Sequence, residues 1–352
     1  MSYIKKPVAS HPSAQKNALG LTLRDYEGSM STLCAGCGHD SITASIVRSF
    51  WELGTEPHTI AKMSGIGCSS KTPAYFVSGA HGFNSAHGRM AAIASGAAAA
   101  NRELRLIGVS GDGDSLSIGL GHLCHAIRRN VNMLYIIENN GVYGLTKGQF
   151  SASADVGTKS KKGEANVMAP IDPVQLALTL GATFVGRSFS GDKAELVPLI
   201  KAGLAHEGFA IIDVISPCVT FNDHEGSTKS YMYTRKHLEA LTPIDFVPEA
   251  SEITAPERAS GGLMEVTMHD GSTVRFRSVH EGYDPTNRIS AMSYLYERQQ
   301  KGEVPTGLLY VETGRPQMHT IMNSIDKALA TLPFEALNPG SAALEKLQRA
   351  YR

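Results

Sequence analysis

Apolar residues in this chain form short runs that alternate with segments of helical period. The run 104–110 is typical of a buried strand and ends at a Gly-Asp-Gly-Asp turn, 111–114. Helical spacing of apolar positions follows, and a second apolar run covers 132–137. This strand–loop–helix–strand order predicts two neighbouring parallel strands whose following loops open at the same edge of a sheet.

The same alternation covers most of the sequence and predicts an α/β fold with a doubly wound, mostly parallel sheet up to about residue 222. Beyond this point, polar and apolar residues alternate over 263–279 about Asp270-Gly271, which predicts a β-hairpin. We divide the chain into an N-terminal arm (1–29), a central domain (30–225) and a C-terminal extension (226–352). Other expected strands are 58–63, 183–187, 209–215 and 308–312, and other expected helices are 90–101, 172–180, 193–206, 288–299 and 342–351.

The Gly-Asp-Gly turn at 111–113 is a candidate binding site. Gly111 and Gly113 let the backbone approach a bulky anion, and the next helix turns its N-terminus towards it. Asp112 and Asn140 follow neighbouring parallel strands, so their oxygens should meet and suit a hard cation that bridges to phosphates. Two unrelated turns are the alternative, which the intervening strand–helix–strand order disfavours. A dinucleotide site is not expected, because no GxGxxG follows the first strand.

Charge and hydropathy disfavour several classes of protein. Lys plus Arg and Asp plus Glu number 33 each, so no net charge favours nucleic acid or an anionic membrane. No apolar stretch reaches the ~20 residues that span a bilayer, and the N-terminal residues lack the apolar segment of a secretory signal. We therefore expect a cytoplasmic protein, in which five cysteines are more often metal ligands than disulfides.

Four of the cysteines fall in turns or just after strands. Cys34 and Cys37 form a CxxC, and Cys68 and Cys218 follow strands. Cys124 lies on an apolar face of a predicted helix, and we interpret it as a buried free thiol. Four thiolates can hold either a 4Fe–4S cluster or a structural zinc ion, and their spacing does not choose between the two.

Six short sequence strings within residues 30–225 together give a more specific signal than any one of them does alone. CAGCGH, SGIGCSSK, HGR, GDGD, NNGVYGLTKGQ and ISPCVTFN occur in this order. The GDG…NN spacing resembles the fingerprint of thiamine-dependent enzymes, and the whole set resembles the β subunit of the 2-oxoacid:ferredoxin oxidoreductases. The resemblance implies the thiamine-diphosphate-binding fold. It also implies thiamine diphosphate, Mg²⁺ and a 4Fe–4S cluster as cofactors, with coenzyme A as a co-substrate.

The resemblance assigns roles to individual residues. Lys71 matches a lysine that pairs with the substrate carboxylate, although a plain surface lysine is the alternative. His87 matches a cofactor contact, against the alternative of a loop histidine satisfied within the protein. His39 is interpreted as structural. The implied cluster ligands are Cys34, Cys37, Cys68 and Cys218, and the implied Mg²⁺ ligands are Asp112, the side chain of Asn140 and the carbonyl of Val142. The other implied cofactor contacts are Ile66, Gly67, Cys68, Ser69, Gly113, Asp114, Gly144 and Leu145.

The resemblance also implies an activity, the CoA-dependent oxidative decarboxylation of 2-oxoglutarate to succinyl-CoA and CO₂ with one-electron transfer through the cluster to ferredoxin. With its arm and extension, the chain resembles the β subunits of 2-oxoglutarate enzymes more than the short pyruvate-specific ones, which implies 2-oxoglutarate as substrate, with pyruvate or a broad range of 2-oxoacids as the alternative. A protein of another class, an iron–sulfur or zinc protein that keeps the fold without catalysis, is disfavoured by the intact GDGD and NNGVYG strings.

Thiamine enzymes need a glutamate beside the aminopyrimidine, and no candidate stands out in this chain. The resemblance implies that an α subunit of the same oxidoreductase supplies that glutamate, the coenzyme A site and part of the substrate pocket.

Overall fold

The computed structural model describes residues 11–160, 162–242, 244–247, 263–277 and 283–351. Its strands are β1 (Ile60–Ser64), β2 (His81–Asn84), β3 (Arg105–Gly111), β4 (Met133–Asn139), β5 (Val142–Tyr143), β6 (Gln149–Phe150), β7 (Phe184–Phe189), β8 (Phe209–Ile215), β9 (Leu238–Thr242), β10 (Ile244–Val247), β11 (Leu263–Thr267), β12 (Thr273–Arg277) and β13 (Val304–Val311). Its α-helices are α1 (Gly38–Glu52), α2 (Met90–Ala100), α3 (Leu120–Arg128), α4 (Pro173–Leu180), α5 (Lys193–Ala205), α6 (Tyr231–His237), α7 (Arg288–Gln300), α8 (Met318–Met322), α9 (Phe334–Leu337) and α10 (Gly340–Arg349).

An eight-stranded sheet in the order β2-β1-β3-β4-β8-β7-β13-β9 forms the centre of the molecule. Neighbouring strands are parallel throughout except at β7 and β13, which are antiparallel. Every residue of β4 and β8 is buried, as expected for central strands covered on both faces. The predicted doubly wound, mostly parallel sheet is confirmed.

Helices cover both faces of this sheet. Helices α2, α3, α4 and α7 pack on one face, where Met90, Leu123 and Leu178 belong to one apolar cluster. Helices α1 and α5 pack on the other face around Phe50 and Leu199, together with a small sheet of order β10-β12-β11. Among the described residues, no helix is both long enough and apolar enough to cross a bilayer.

Two details of the helices go beyond the apolar pattern of the sequence. The N-cap of α1 is Cys37, because Gly36 (φ +78°) reverses the chain and leads the CxxC directly into the helix. The predicted central helix is divided into a π-helical turn, Gly113–Ile118, and α3. The division occurs where the Gly119 N–H donates to the carbonyl of Asp114, five residues back, at 2.8 Å.

The C-terminal region contributes to the central sheet. Strands β9 and β13 both come from residues 226–352 and pair with each other, while β13 also pairs with β7. The predicted hairpin is confirmed as the antiparallel pair β11 and β12, with Gly271 at φ +80° in its turn. Residues 1–10 of the predicted arm lie outside the described residues, whereas Tyr26, in its later part, is fully buried in the core.

Candidate functional site

A cavity of about 270 Å³ opens where the strands β1, β3 and β4 end. The loops after these strands converge there because all three strands are parallel and neighbouring. The cavity is lined by every residue predicted to contact thiamine diphosphate or Mg²⁺: Ile66, Gly67, Cys68, Ser69, His87, Asp112, Gly113, Asp114, Asn140, Val142, Gly144 and Leu145. The structure therefore brings these residues together, and their individual roles remain predictions.

Asp112 is the buried carboxylate of this cavity. Its Oδ2 accepts hydrogen bonds from the Gly141 N–H (3.1 Å), from Ser153 Oγ (2.6 Å) and from Ser151 Oγ. Burial raises the pKa of the Asp112 carboxyl, and the two serine hydroxyls oppose that rise. A bound cation would favour the ionised form further.

Asn140 shapes the loop that faces Asp112. Its Oδ1 accepts from the Val142 N–H at 3.0 Å, and its carbonyl accepts from Asn222 Nδ2 at 2.8 Å. Gly141 has φ +73°, and a Cβ there would lie 2.9 Å from Asn222 Nδ2, which explains the glycine. One carboxylate with neutral amide and carbonyl oxygens is the partial shell that Mg²⁺ takes when phosphates complete it, so the residues present fit that cation.

Asp114 has a positioning role in this structure. Its Oδ1 accepts from the Gly88 N–H at 2.8 Å and its Oδ2 accepts from Ser110 Oγ at 2.9 Å. The first bond fastens the loop that carries His87 to the turn after β3. A Cβ at Gly65 would lie 2.0 Å from Asp114 Oδ2, so a side chain at residue 65 would disrupt this arrangement.

Gly144 lies between the cavity and two of the predicted cluster ligands. A Cβ at this glycine would lie 3.5 Å from Cys68 Sγ and 3.6 Å from Cys218 Sγ. Cys68 itself also lines the cavity. The thiols and the candidate cofactor cavity therefore share a wall.

The four predicted cluster ligands gather near this wall. An ionised Cys218 would raise the pKa of the Cys37 and Cys68 thiols, and an ionised Cys34 would raise that of Cys68. Thr220 Oγ1 donates to Cys34 Sγ at 3.4 Å. Burial raises the pKa of Cys37 to about 12, so metal binding there would have to displace a proton.

The metal that these thiols would hold remains a prediction. Within the described ranges, no three His, Cys, Asp or Glu side chains converge closely enough to hold one metal ion. Cys124, predicted to be buried, is half-buried in α3, because one side of that helix faces solvent.

Lys71 lies in a 3₁₀ helix, Ser69–Ala74, directly after Cys68. It is half-buried, and its charge lowers the pKa of the Cys68 thiol against the larger effect of burial. It is not among the residues that line the cavity as the described part of the chain forms it. The structure thus places Lys71 beside the thiols and the cavity without testing its predicted contact with substrate.

A buried polar group behind the cysteines was not predicted. Glu138, fully buried at the end of β4, accepts from Thr72 Oγ1 at 3.0 Å. His39 Nδ1 lies 2.6 Å from Ser216 Oγ and 3.5 Å from Glu138 Oε2. Burial raises the pKa of Glu138 well above its usual value and lowers that of His39 to about 4, so neutral forms are favoured. The sequence signal that could have revealed this group is Glu138 itself, an acidic residue at the end of the largely apolar strand β4.

Comparison with known proteins agrees with this geometry. Residues 65–214 match the family described as "Thiamine pyrophosphate enzyme, C-terminal TPP binding domain". The chain is 39% identical over 236 residues to "2-oxoacid:ferredoxin oxidoreductase 2, subunit beta" of Aeropyrum pernix, covering 66% of this chain and 75% of that protein. It is 43% identical over 199 residues to "2-oxoacid:ferredoxin oxidoreductase subunit beta" of Saccharolobus solfataricus, covering 56% and 65%.

Two similar proteins carry 2-oxoglutarate in their names. The chain is 44% identical over 192 residues to "2-oxoglutarate oxidoreductase subunit KorB" of Mycobacterium tuberculosis, covering 54% of this chain and 51% of that one. Its fold matches a chain of the solved 2-oxoglutarate:ferredoxin oxidoreductase from Magnetococcus marinus with 2-oxoglutarate, coenzyme A and succinyl-CoA bound, with a TM-score of 0.71 and 29% identity, covering 93% and 97%. The matched sequence thus spans 51% to 65% of the length of the Mycobacterium and Saccharolobus relatives.

Proposed function

Because the chain belongs to the β subunits of the 2-oxoacid:ferredoxin oxidoreductases, we propose that it works with an α subunit to convert 2-oxoglutarate and coenzyme A into succinyl-CoA and CO₂, with ferredoxin as electron acceptor. The observation that carries this proposal is the shared wall at Gly144. It joins a cavity lined by the GDGD and NNG loops to the gathered cysteines. A site for carbon–carbon cleavage thereby adjoins a site for electron transfer.

In this proposal Asp112, Asn140 and the Val142 carbonyl bind Mg²⁺, and the remaining cavity residues hold thiamine diphosphate. When bound, that cofactor supplies an electron sink for decarboxylation. The residues of this chain orient it. The Gly88–Asp114 bond keeps the His87 loop against the turn after β3, and the absence of a side chain at Gly113 lets the Tyr143 ring pack against that turn.

Cys34, Cys37, Cys68 and Cys218 are proposed to hold a 4Fe–4S cluster, which supplies one-electron acceptance when bound. Cys68 lies at both sites, so no intervening side chain separates the cavity from this thiol. Burial favours the neutral forms of Glu138 and His39, which lie near the thiols. A neutral Glu138 would add no negative charge beside four thiolates, whose own charges already repel one another.

The choice of 2-oxoglutarate is supported by the names of the Mycobacterium and Magnetococcus proteins. Lys71, beside the cavity, is proposed to pair with a substrate carboxylate. The α subunit is proposed to supply the coenzyme A site and the glutamate for the aminopyrimidine, because the cavity formed by the described residues has no glutamate in its lining.

Anaerobic co-purification with the α subunit tests the proposal. The complex should reduce a viologen dye with 2-oxoglutarate and coenzyme A, and the isolated chain should not. Preference for pyruvate would overturn the proposed substrate, and turnover by the isolated chain would overturn the need for an α subunit. Asp112→Ala should lose thiamine diphosphate but retain iron, since Asp112 lies in the cation site and not among the thiols.

A further inference from the structure

The two carboxylate oxygens of Asp112 accept different numbers of hydrogen bonds from the described residues. Oδ2 accepts from Ser151, from Ser153 at 2.6 Å and from the Gly141 N–H at 3.1 Å. Among the described residues, Oδ1 accepts only from the Asn140 N–H, at 3.4 Å, which is near the limit for a hydrogen bond. The protein's donors therefore occupy one oxygen, and the other has capacity left for a ligand.

Ser153 is held in place by a series of polar contacts that extends away from the cavity. Its Oγ lies 2.8 Å from Asn139 Oδ1, and Asn139 Nδ2 donates to Asp213 Oδ1 at 2.9 Å. Arg187 Nε donates to Asp213 Oδ2 at 2.9 Å, and Arg187 Nη2 donates to both oxygens of Asp172 at 2.7 and 2.8 Å. We call Ser153, Asn139, Asp213, Arg187 and Asp172 the polar relay.

The polar relay is anchored in regular structure. Asn139, Arg187 and Asp213 lie on the neighbouring strands β4, β7 and β8, and Asp172 caps α4 through the N–H groups of the helix's first turn. All three strand residues are buried. Ser153 is therefore fixed by the sheet, although it belongs to a segment without a strand or helix of its own.

We propose that Ser153 is a positioning residue that holds Oδ2 of Asp112 so that Oδ1 is the oxygen presented to the cation. This inference rests on the proposed Mg²⁺–thiamine diphosphate site. The single hydroxyl proton of Ser153 is shared between Asp112 Oδ2 at 2.6 Å and Asn139 Oδ1 at 2.8 Å, and an ionised Asp112 is the stronger acceptor of the two. Without this bond Oδ2 keeps only the Ser151 hydroxyl and the Gly141 N–H, so the carboxylate is less firmly ordered and cation binding must supply the missing order. Partners of this kind typically change metal affinity 10–100-fold.

The test measures thiamine diphosphate binding by equilibrium dialysis over a series of Mg²⁺ concentrations. It uses the complex with the α subunit after removal of cofactor and metal. Ser153→Ala should raise the half-saturating Mg²⁺ concentration roughly 10–100-fold, while saturating Mg²⁺ restores binding. Ser153→Thr keeps the hydroxyl and should recover most of the Mg²⁺ affinity.

Ser49→Ala is the matched control, because Ser49 is a fully buried serine whose Oγ donates to the Ser45 carbonyl at 2.8 Å, away from the cavity. Its Mg²⁺ dependence should equal that of the wild type. An unchanged Mg²⁺ dependence in Ser153→Ala, or an equal shift in Ser49→Ala, would overturn the inference. Wild-type complex that binds thiamine diphosphate equally without Mg²⁺ would instead overturn the proposed cation site itself, and with it the premise.

Discussion

The phenol of Tyr143 donates a hydrogen bond to the carbonyl of Gly113 at 3.1 Å, and the ring covers the position that a side chain at residue 113 would take. This contact joins the loop after β4 to the turn after β3. The two loops that carry Asn140 and Asp112 are thus held together by an aromatic side chain as well as by the parallel strands below them.

Gly113→Ala should weaken thiamine diphosphate binding with little loss of stability. Its Cβ would lie 2.4 Å from Tyr143 Cε1, so the ring must move and the two loops separate. Dialysis should show a raised Kd for the cofactor in the complex. Gly121→Ala is the control, because nothing lies within 4 Å of that added Cβ in α3. Equal cofactor affinity in the two variants would contradict the prediction.

Iron content should depend on Cys218 and not on Cys124. Anaerobically purified wild-type chain should contain about four irons and four sulfides, as a four-thiolate cluster requires. Cys218→Ala should lose most of both, whereas Cys124→Ser should keep them, since Cys124 lies on α3 outside the gathered thiols. Metal and sulfide analysis decides between the outcomes, and one zinc per chain would contradict the cluster assignment.

Lys71→Ala should lower kcat/KM for 2-oxoglutarate in the complex, with unchanged thiamine and iron content. Losing a charge-assisted bond to a carboxylate costs about 2 kcal/mol or more in a partly desolvated site. Lys71→Arg should recover only part of the activity, because a planar guanidinium does not replace a compact ammonium. Lys147→Ala is the comparison, since Lys147 follows the cavity residues of the NNG loop. A larger effect at Lys147 would transfer the proposed role to that residue.

Glu195→Gln should stabilise the protein at pH 8 but not at pH 4.5. Glu195 is a partly buried residue whose carboxyl accepts from Ser188 Oγ at 2.8 Å and from Thr306 Oγ1 at 3.0 Å, and burial raises its pKa to about 7. The folded state therefore prefers the protonated form, so stability is full below the ordinary pKa of 4.5 and falls as pH rises to about 7. The loss at pH 8 is roughly 3 kcal/mol.

Melting temperatures of the wild type and the variant at the two pH values test whether wild-type stability falls as pH rises. The glutamine lacks the ionisable proton and keeps the shape, so the difference between variant and wild type should appear only at the higher pH. Glu335→Gln, at an exposed glutamate, should change neither value. A variant that is equally destabilised at both pH values would show that Glu195 acts through packing alone.

Much of the site follows from the sequence because it depends on local patterns placed on parallel strands. Strand β8 has the predicted bounds, 209–215, since an unbroken apolar run buried on both faces has a clear signal. The meeting of Asp112 and Asn140 follows from topology alone: two parallel neighbours end at one edge.

Neither the pairing of strands far apart in sequence nor the buried serines that support Asp112 could be predicted in the same way. The predicted strand at 308–312 exists, but its antiparallel partner β7 lies over a hundred positions earlier, and no local pattern specifies that pairing. Ser151 and Ser153 lie just after β6, in a segment without a strand or helix of its own. The serines are buried because Asp112 needs donors, and a short polar side chain carries no sequence signal of its partner.

The position of Cys68 determines how oxidation by air would affect the protein. Its thiol belongs to the gathered cysteines, while the same residue lines the candidate cofactor cavity. Cys34, by contrast, is exposed and lies away from the cavity lining. Oxidation to a sulfenic or sulfinic acid enlarges and charges a cysteine side chain. Such damage at Cys68 therefore alters both sites at once, whereas damage at Cys34 alters the thiol site alone.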